Sequence, residues 1–342
     1  MSKWYEEEKS NNGIIISSRV RLARNLKKYN FYNKLSAEDA EKMIEEVKDS
    51  IIGSRTVFGE QFKYIPINKL DENEKFSMVE RHIISPELMR NNKPCGVLVK
   101  DDETISIMLN EEDHIRIQAI AAGDNIDEAY DTADKIDNLI EESVEYAFSE
   151  KFGYLTSCPT NVGTGLRASY MMHLPQLERT GQIRSLTQAI SKFGITVRGI
   201  YGEGSEAMGS IYQVSNQVTL GQSEREIIEN LKKVVSTIVQ REKELEKNAY
   251  ARAKDDVEDK VWRSYGILKT ARKISAKEAM QMLSNLMEAK NMGVEPMPDI
   301  SIKPVELMIN IQPAIIQTTN GKDMTPTERD KARADYIRKI LK

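Results

Sequence analysis

In the run Cys158-Pro159-Thr160-Asn161-Val162-Gly163-Thr164-Gly165-Leu166-Arg167-Ala168-Ser169, a cysteine, two glycines and an arginine fall within ten residues. An apolar segment, Phe152 to Thr156, precedes the run and reads as a strand. Gly163 and Gly165 carry no Cβ, so the backbone there is free to turn tightly and to approach a bound group closely. Arg167 offers a permanently charged, forked donor to a carboxylate or phosphate. The spacing is neither the G-x-x-x-x-G-K-[ST] of a P-loop nor the G-x-G-x-x-G of a dinucleotide turn. By itself, a Gly-Thr-Gly turn that closes a strand is more often structural than catalytic.

A chain of 342 residues supports a substantial core and two domains. Charged residues at 30% and hydrophobic ones at 40% are the balance of a soluble globular protein. A net charge of -4 and a pI near 5.7 argue against a general nucleic-acid or anionic-membrane binder, so any anion site is built from a few placed cations. Two cysteines, Cys95 and Cys158, fit a reducing cytosol better than a disulfide scaffold. The start, Met1 to Glu8, has no apolar signal region and no segment approaches bilayer length, which gives a cytoplasmic reading.

Along the chain, alternation in Ser17-Ser18-Arg19-Val20-Arg21-Leu22 puts Arg19 and Arg21 on one face of an extended segment and Val20 and Leu22 on the other. Two neighbouring arginines repel unless an anion lies between them or solvent bathes both. Ser36 to Ile52 is an amphipathic helix with Ser36 as N-cap, Lys63 to Ile67 a short strand and Asp71 to His82 a helix. The pair Gly96–Lys100 and Thr104–Leu109 reads as a hairpin, followed by Asn110-Glu111-Glu112-Asp113-His114-Ile115-Arg116. Three consecutive acids inside a sheet signal are unlike an ordinary connection, which carries Gly, Asn or Pro chemistry. Helices are expected over Asp127 to Phe148 and Pro175 to Phe193, then strands over Ile195 to Tyr201 and Gly209 to Leu220. From the capping box Ser223-x-x-Glu226 onward the chain is mainly helical, with further boxes at Ser275-x-x-Glu278 and Thr325-Pro326-Thr327-Glu328.

Four of these segments together resemble the guanidino (phosphagen) kinase superfamily. Its members carry S-S-R-V-R, N-E-E-D-H-[LI]-R, C-P-[ST]-N-x-G-T-G-L-R-A and a later strand arginine before a Gly-rich loop, and the chain has all four in that order. Val261-Trp262-Arg263-Ser264-Tyr265-Gly266-Ile267-Leu268 and Glu328-Arg329-Asp330-Lys331-Ala332-Arg333-Ala334 are similar to segments of the bacterial protein arginine kinases, the McsB family. Only Ser2 to Ile16 precede the first motif, where small-molecule phosphagen kinases have a helical domain that helps enclose their substrate. The resemblance thus implies an open acceptor side. It also implies an α+β fold: a guanidino-kinase catalytic domain over 1–222, with a mainly antiparallel sheet flanked by helices, and a helical domain over 223–342.

The site it implies is a cage of Arg19, Arg21, Arg116, Arg167 and Arg198 around the phosphates of ATP, with Mg²⁺ held by the phosphates and not by protein side chains. Nucleotide contacts by this resemblance run through Ser17, Ser18, Arg19, Val20 and Arg21; His82; Arg116; Arg167, Ala168, Ser169, Tyr170 and Met171; and Arg198, Gly199, Ile200, Tyr201, Gly202 and Glu203. Read from local sequence alone, His82 is a boundary histidine that packs or hydrogen-bonds locally. In the small-molecule phosphagen kinases a nucleotide-contacting histidine follows R-A-x-V, whereas Met171 stands here; His173, two residues on, faces differently and does not inherit the role. The resemblance further implies Glu112 as base and anchor for the acceptor guanidinium, Glu203 as a second anchor, and Cys158 as an orienting thiolate. Arg329, Asp330, Arg333 and Ala334 correspond to a regulatory phosphoarginine site, although R-D-x-x-R-A alone also fits a solvated helix face.

The activity implied is ATP-dependent phosphorylation of protein arginines, which marks proteins for a Clp unfoldase and protease and tunes stress-response repressors. A zinc-binding activator protein and a homodimer are the implied partners. A metabolic free-arginine kinase and a non-catalytic phosphoarginine reader are the rival readings.

Overall fold

A computed structural model describes residues 2–7, 13–53, 59–199, 207–298, 303–321 and 323–341. Its elements in order are β1 (Ile15–Arg24), α1 (Ala37–Ile51), β2 (Phe62–Pro66), α2 (Glu72–Glu80), α3 (Pro86–Met89), β3 (Gly96–Lys100), β4 (Ile105–Leu109) and β5 (Ile115–Ala122). Then follow α4 (Ile126–Glu141), β6 (Phe148–Ser149), β7 (Gly153–Tyr154), β8 (Leu166–His173), α5 (Pro175–Arg179), α6 (Ile183–Ser191), β9 (Ile195–Gly199) and β10 (Ile211–Asn216). The last third holds α7 (Glu224–Arg252), α8 (Lys254–Thr270), α9 (Ala276–Met292), α10 (Pro304–Asn310), α11 (Pro313–Asn320) and α12 (Pro326–Ile340).

Eight strands form one sheet in the order β2-β3-β4-β5-β1-β8-β10-β9, and every neighbouring pair is antiparallel. β1 lies near its centre, between β5 and β8, so the alternation seen in its sequence decides what each face of the sheet is made of. Val20 and Leu22 turn to one face and join Ile117, Ala168, Tyr170 and Val214 in a core closed by α1, α4 and the first half of α7. The stripe on α7, Ile227, Ile228, Leu231, Val235, Ile238 and Val239, packs into this same core. Burial of such a stripe, not intrinsic helix propensity, is what holds a helix in place.

The opposite face divides in two. Toward one end, Ile16, Ile120 and Ile211 meet Trp4, Tyr5 and the apolar sides of α8, α9, α10 and α12 in a second core. Toward the other end the same face is polar, and there it is open. A third, smaller core sits beneath α2, α3 and β3. α11 packs against α2, and the Glu80 carboxylate accepts from the Ala314 and Ile315 backbone amides at 3.0 and 2.9 Å, tying the helical layer to the rim of the open region.

Four expected elements are shorter than their sequence suggests, one of them the Gly209–Leu220 strand, which pairs only over Ile211–Asn216. The Asp127–Phe148 helix ends at Glu141, and Phe148 instead pairs with Tyr154 in a two-residue ladder, which is all that forms of the Phe152–Thr156 strand. Pro175 to Phe193 is two helices, because Gly181 adopts a left-handed φ of +68° between them. The capping boxes at Ser223 and Thr325 form as written, each hydroxyl receiving an amide three residues on while the glutamate returns to the cap amide. At Ser275 the hydroxyl accepts from the Glu278 amide.

Candidate active site

The open face carries a cleft of about 380 Å³. Its floor is made by strand register. Arg21 on β1 stands opposite Arg167 on β8 and Gln118 on β5, while Arg19 is one row along opposite Ser169. Arg116 projects from β5 on the same face, and Arg198 from β9 opposite Gln213 of β10. Arg19, Arg21, Arg116, Arg167 and Arg198 therefore converge on one cavity, together with His82, Glu112, Cys158 and Gly199.

The electrostatics of this convergence are unfavourable. Burial and the charges of Arg116 and Arg167 pull the Arg19 guanidinium down to about 10, and burial with the same cluster lowers Arg21 further. Burial, Arg198 and Arg116 lower Arg167 as well. All stay cationic at neutral pH, since an arginine does not lose its proton there. The Nε atoms of Arg21 and Arg167 are buried and have no hydrogen-bond partner among the described residues. Buried donors of this kind ordinarily have partners, and an anion with several oxygens is one group whose chemistry would supply them.

Glu112 faces this cluster at 3.6 Å from Arg116. Burial raises its carboxyl pKa, Asp113 and Glu111 add to the effect, and Arg116 and a hydrogen bond with Cys158 oppose it. The Cys158 sulfur also lies 3.1 Å from the Thr160 hydroxyl. The two acids flanking Glu112 are structural. Glu111 grips Arg116 and the Ser85 hydroxyl, and Asp113 receives the Ser157 amide and the Asn25 side chain, both at 2.6 Å. Asp113 thus fixes the residue before Cys158 relative to the loop that carries Glu112. Neither role was assigned from sequence, although three acids in a row inside a sheet marked the place.

Gly163 and Gly165 make the tight turn their sequence suggests, at φ of +114° and +64°, but the close approach they permit is to protein. A Cβ on Gly163 would fall 2.2 Å from the Thr219 carbonyl, and one on Gly165 would fall 2.5 Å from the Ala23 carbonyl and 2.7 Å from Arg24. The room they leave is taken up by protein. Arg24, buried and paired with Asp137 at 2.6 Å, donates to the Thr164 carbonyl at 2.9 Å and stacks 3.5 Å from the Tyr154 ring, clamping the turn from behind.

The remaining sequence candidates divide by parity. The side chains of Val20, Ala168 and Tyr170 point to the first core and are fully buried there, so they contribute nothing but backbone to the cleft. Ser18 also turns away: its hydroxyl donates to the Gly123 carbonyl at 2.7 Å and accepts the Asn125 amide. Ser17, Ser169 and Met171 are on the cleft side but border a small slot next to it. His173 lies buried beneath the helical layer, 2.8 Å from the Ser284 hydroxyl. His82, at a left-handed φ of +62°, lines the cleft and gives its carbonyl to Gln118; burial and Arg19 hold its ring neutral, with a pKa near 3. Ile200, Tyr201, Gly202 and Glu203 lie outside the described residues.

In α12, Arg329 and Arg333 stand four residues apart, yet Arg333 is not on a solvated face. It is 1% exposed and donates to the carbonyls of Ile311 and Ile274 and to Asp330. Arg329 donates to Gln317 and to the Met324 carbonyl. Ala334 is buried behind them. Among the described residues no helix is long and apolar enough to cross a membrane.

Comparison with known proteins agrees with this geometry. Residues 42–245 match the family profile of the ATP:guanido phosphotransferase C-terminal catalytic domain, and residues 254–342 match that of the protein-arginine kinase McsB C-terminal domain. Lombricine kinase shares the fold with a TM-score of 0.61 at 24% identity, over 72% of each chain. The protein-arginine kinase of Caldanaerobacter subterraneus subsp. tengcongensis is 48% identical over 95% of this chain and 96% of its own length, and that of Bacillus cereus is 46% identical over 100% and 96%. With a guanidino-kinase sheet, an arginine-lined cleft and relatives of this similarity along the whole length, the chain belongs to the McsB family of protein-arginine kinases within the ATP:guanido phosphotransferases.

Proposed function

We propose that the protein transfers the γ-phosphoryl group of ATP to arginine side chains of proteins. The observation that carries this reading is a set of mutually repelling arginines whose buried Arg21 and Arg167 Nε donors lack partners among the described residues, set across from a carboxylate. Such a cage suits a triphosphate, whose oxygens satisfy the donors and cancel the repulsion. Mg²⁺, bound through the phosphate oxygens, would supply further charge neutralisation.

Phosphoryl transfer depends on positioning and electrostatics more than on covalent help from the protein. The acceptor guanidinium is a cation and a poor nucleophile. Glu112 pairs with it and takes one N–H proton, a task helped by a carboxyl whose pKa burial has raised. The freed nitrogen lone pair forms the N–P bond as the bond from the γ-phosphorus to the β,γ-bridging oxygen breaks, and ADP leaves with that electron pair. Arg21, Arg116 and Arg167 stabilise the charge on the phosphoryl oxygens, while Cys158, hydrogen-bonded to Glu112, orients the carboxylate and the acceptor plane. Glu203 is proposed as the second anchor of the acceptor.

The wider reading follows the family: the phosphoarginine mark directs substrates to a Clp unfoldase and protease and tunes stress repressors, with a zinc-binding protein as activator. The exposed Trp262 and Ile267 of α8 support a homodimer through the helical region. For regulation by phosphoarginine, Arg329 and Asp330 are proposed to meet the ligand, with Arg329 exchanging its Gln317 and Met324 contacts for phosphate while Arg333 supports the helix beneath.

The test is transfer from Mg-ATP to an unstructured arginine-rich protein and, in parallel, to free arginine, quenched without acid because the P–N bond is acid-labile. Label on the protein is expected, reduced roughly 10²–10⁴-fold by Glu112→Gln with ATP binding retained. Label on free arginine alone would move the enzyme to a metabolic role. Unchanged turnover in Glu112→Gln would overturn the assignment of the base.

A further inference from the structure

Trp4 lies in a short 3₁₀ turn at the start of the chain and is 2% exposed, yet its indole N–H has no hydrogen-bond partner among the described residues. The turn is held on several sides. Lys3 pairs with Glu103 at 3.0 Å, the Glu6 carbonyl receives Lys303, and Trp4 and Tyr5 pack in the core shared with α9 and α10. A buried indole ordinarily finds an acceptor.

Trp4 forms one wall of a slot of about 10 Å³, whose other walls include Arg19, His82, Ile120, Met171 and Gln213. Arg19, His82 and Gln213 also line the arginine cleft, so the slot and the cleft share a wall. Arg19 donates to the Gln213 side-chain oxygen at 2.8 Å, which joins the phosphate cage to the slot through one side chain. The Trp4 and His82 rings stand 6.1 Å apart and tilted by 50°, and the His82 ring is neutral beside Arg19.

A nucleotide placed with its phosphates among Arg19, Arg21 and Arg167 carries a base one ribose away. That base is flat and apolar on its faces and has acceptor nitrogens on its edge. The slot has room for about one water-sized group, so only an edge atom of the base enters it and the ring itself stays in the cleft. We infer that Trp4 reads the nucleotide base: its N–H donates to an acceptor on the base edge at the slot, with the ring resting against His82. The inference deepens, and rests on, the nucleotide reading proposed above. It makes the N-terminal turn part of the nucleotide site and links that site to the helical layer on which Trp4 packs.

The experiment compares ATP with inorganic tripolyphosphate, each with Mg²⁺, by calorimetric titration of the full chain and of Trp4→Phe. Phenylalanine keeps most of the buried apolar surface and removes the donor, and an unchanged melting temperature verifies the fold. The expected result is a loss of ATP affinity of roughly 3- to 10-fold with tripolyphosphate affinity unchanged. In a Trp262→Phe background, where Trp4 is the sole tryptophan, its emission is expected to respond to ATP and not to tripolyphosphate. Unchanged affinity for both ligands would mean that a trapped water satisfies the indole, and equal weakening of both would mean a general loss of the site; either overturns the inference. Failure of the unaltered protein to bind ATP would remove the nucleotide reading itself, and this inference with it.

Discussion

Two groups of arginines in this chain use the same side chain for opposite ends. In the cleft, Arg19, Arg21 and Arg167 crowd together, depress one another's protonation and leave two buried Nε donors without partners among the described residues. In α12, Arg333 is at least as deeply buried but spends its donors on the Ile311 and Ile274 carbonyls and on Asp330. The first group repels itself and leaves donors open to an anion, whereas the second already holds its partners, which are parts of the protein. The lesson is that the partner inventory of a buried charge, more than its burial, separates a binding site from scaffold.

Substitution should separate the two groups. Arg333→Ala should cost roughly 3 kcal/mol of stability, because it strands two buried carbonyls and a carboxylate. Denaturant unfolding would show it, and a neutral result would return Arg333 to the status of a surface residue. Arg21→Gln should weaken tripolyphosphate binding roughly 10- to 100-fold. In the ligand-free protein the same substitution should raise the melting temperature, on the order of 2 °C, since it removes one of several repelling charges. A fall instead would show that the cage is held by contacts other than those with its ligand.

A smaller effect extends the comparison to carboxylates. Glu242, Glu246 and Glu288 lie buried together, with Arg179 and Lys260 both paired to Glu288. Burial and its acidic neighbours raise Glu246 to about 8, and burial raises Glu242 to about 7, against an ordinary value of 4.5. Because the folded state binds these protons more tightly than the unfolded state, their burial costs nothing below about pH 4.5, costs progressively more as pH rises from there to about 7 for Glu242 and about 8 for Glu246, and levels off above. Glu246→Gln should therefore stabilise the protein at pH 8 by on the order of 1 kcal/mol and leave it nearly unchanged at pH 5. Equal effects at both pH values would remove titration as the cause.

Much of the site was legible because strand alternation is a local rule. Arg19 and Arg21 on one face, with Arg116 turned away from Ile115 and Ile117, follow from a period of two, and the structure has them so. The same rule, applied strictly, would have set Val20, Ala168 and Tyr170 apart from the cleft, since they alternate with the residues that line it. The helix starts at Ser36, Ser223, Ser275 and Thr325 were legible for a similar reason: a cap is satisfied within four residues.

Other features could not be read locally. Asp113 binds Ser157 and Asn25, 44 and 88 residues away, and Arg24 clamps a turn 140 residues on. Gln213 reaches the cleft only because β10 pairs with β8. Trp4 is an ordinary N-terminal aromatic until it is seen between the helical layer and His82.

The sequence by itself determined the chemistry on offer: the cationic residues, the acid, the thiol, the strand parity and the caps, all properties of single residues or of spacings within one turn. Only the tertiary structure decided which arginines would be left in need of an anion and which would be satisfied by backbone carbonyls. That distinction depends on strands and helices far apart in the chain meeting at distances where desolvation and charge repulsion are strong, and no local pattern encodes it.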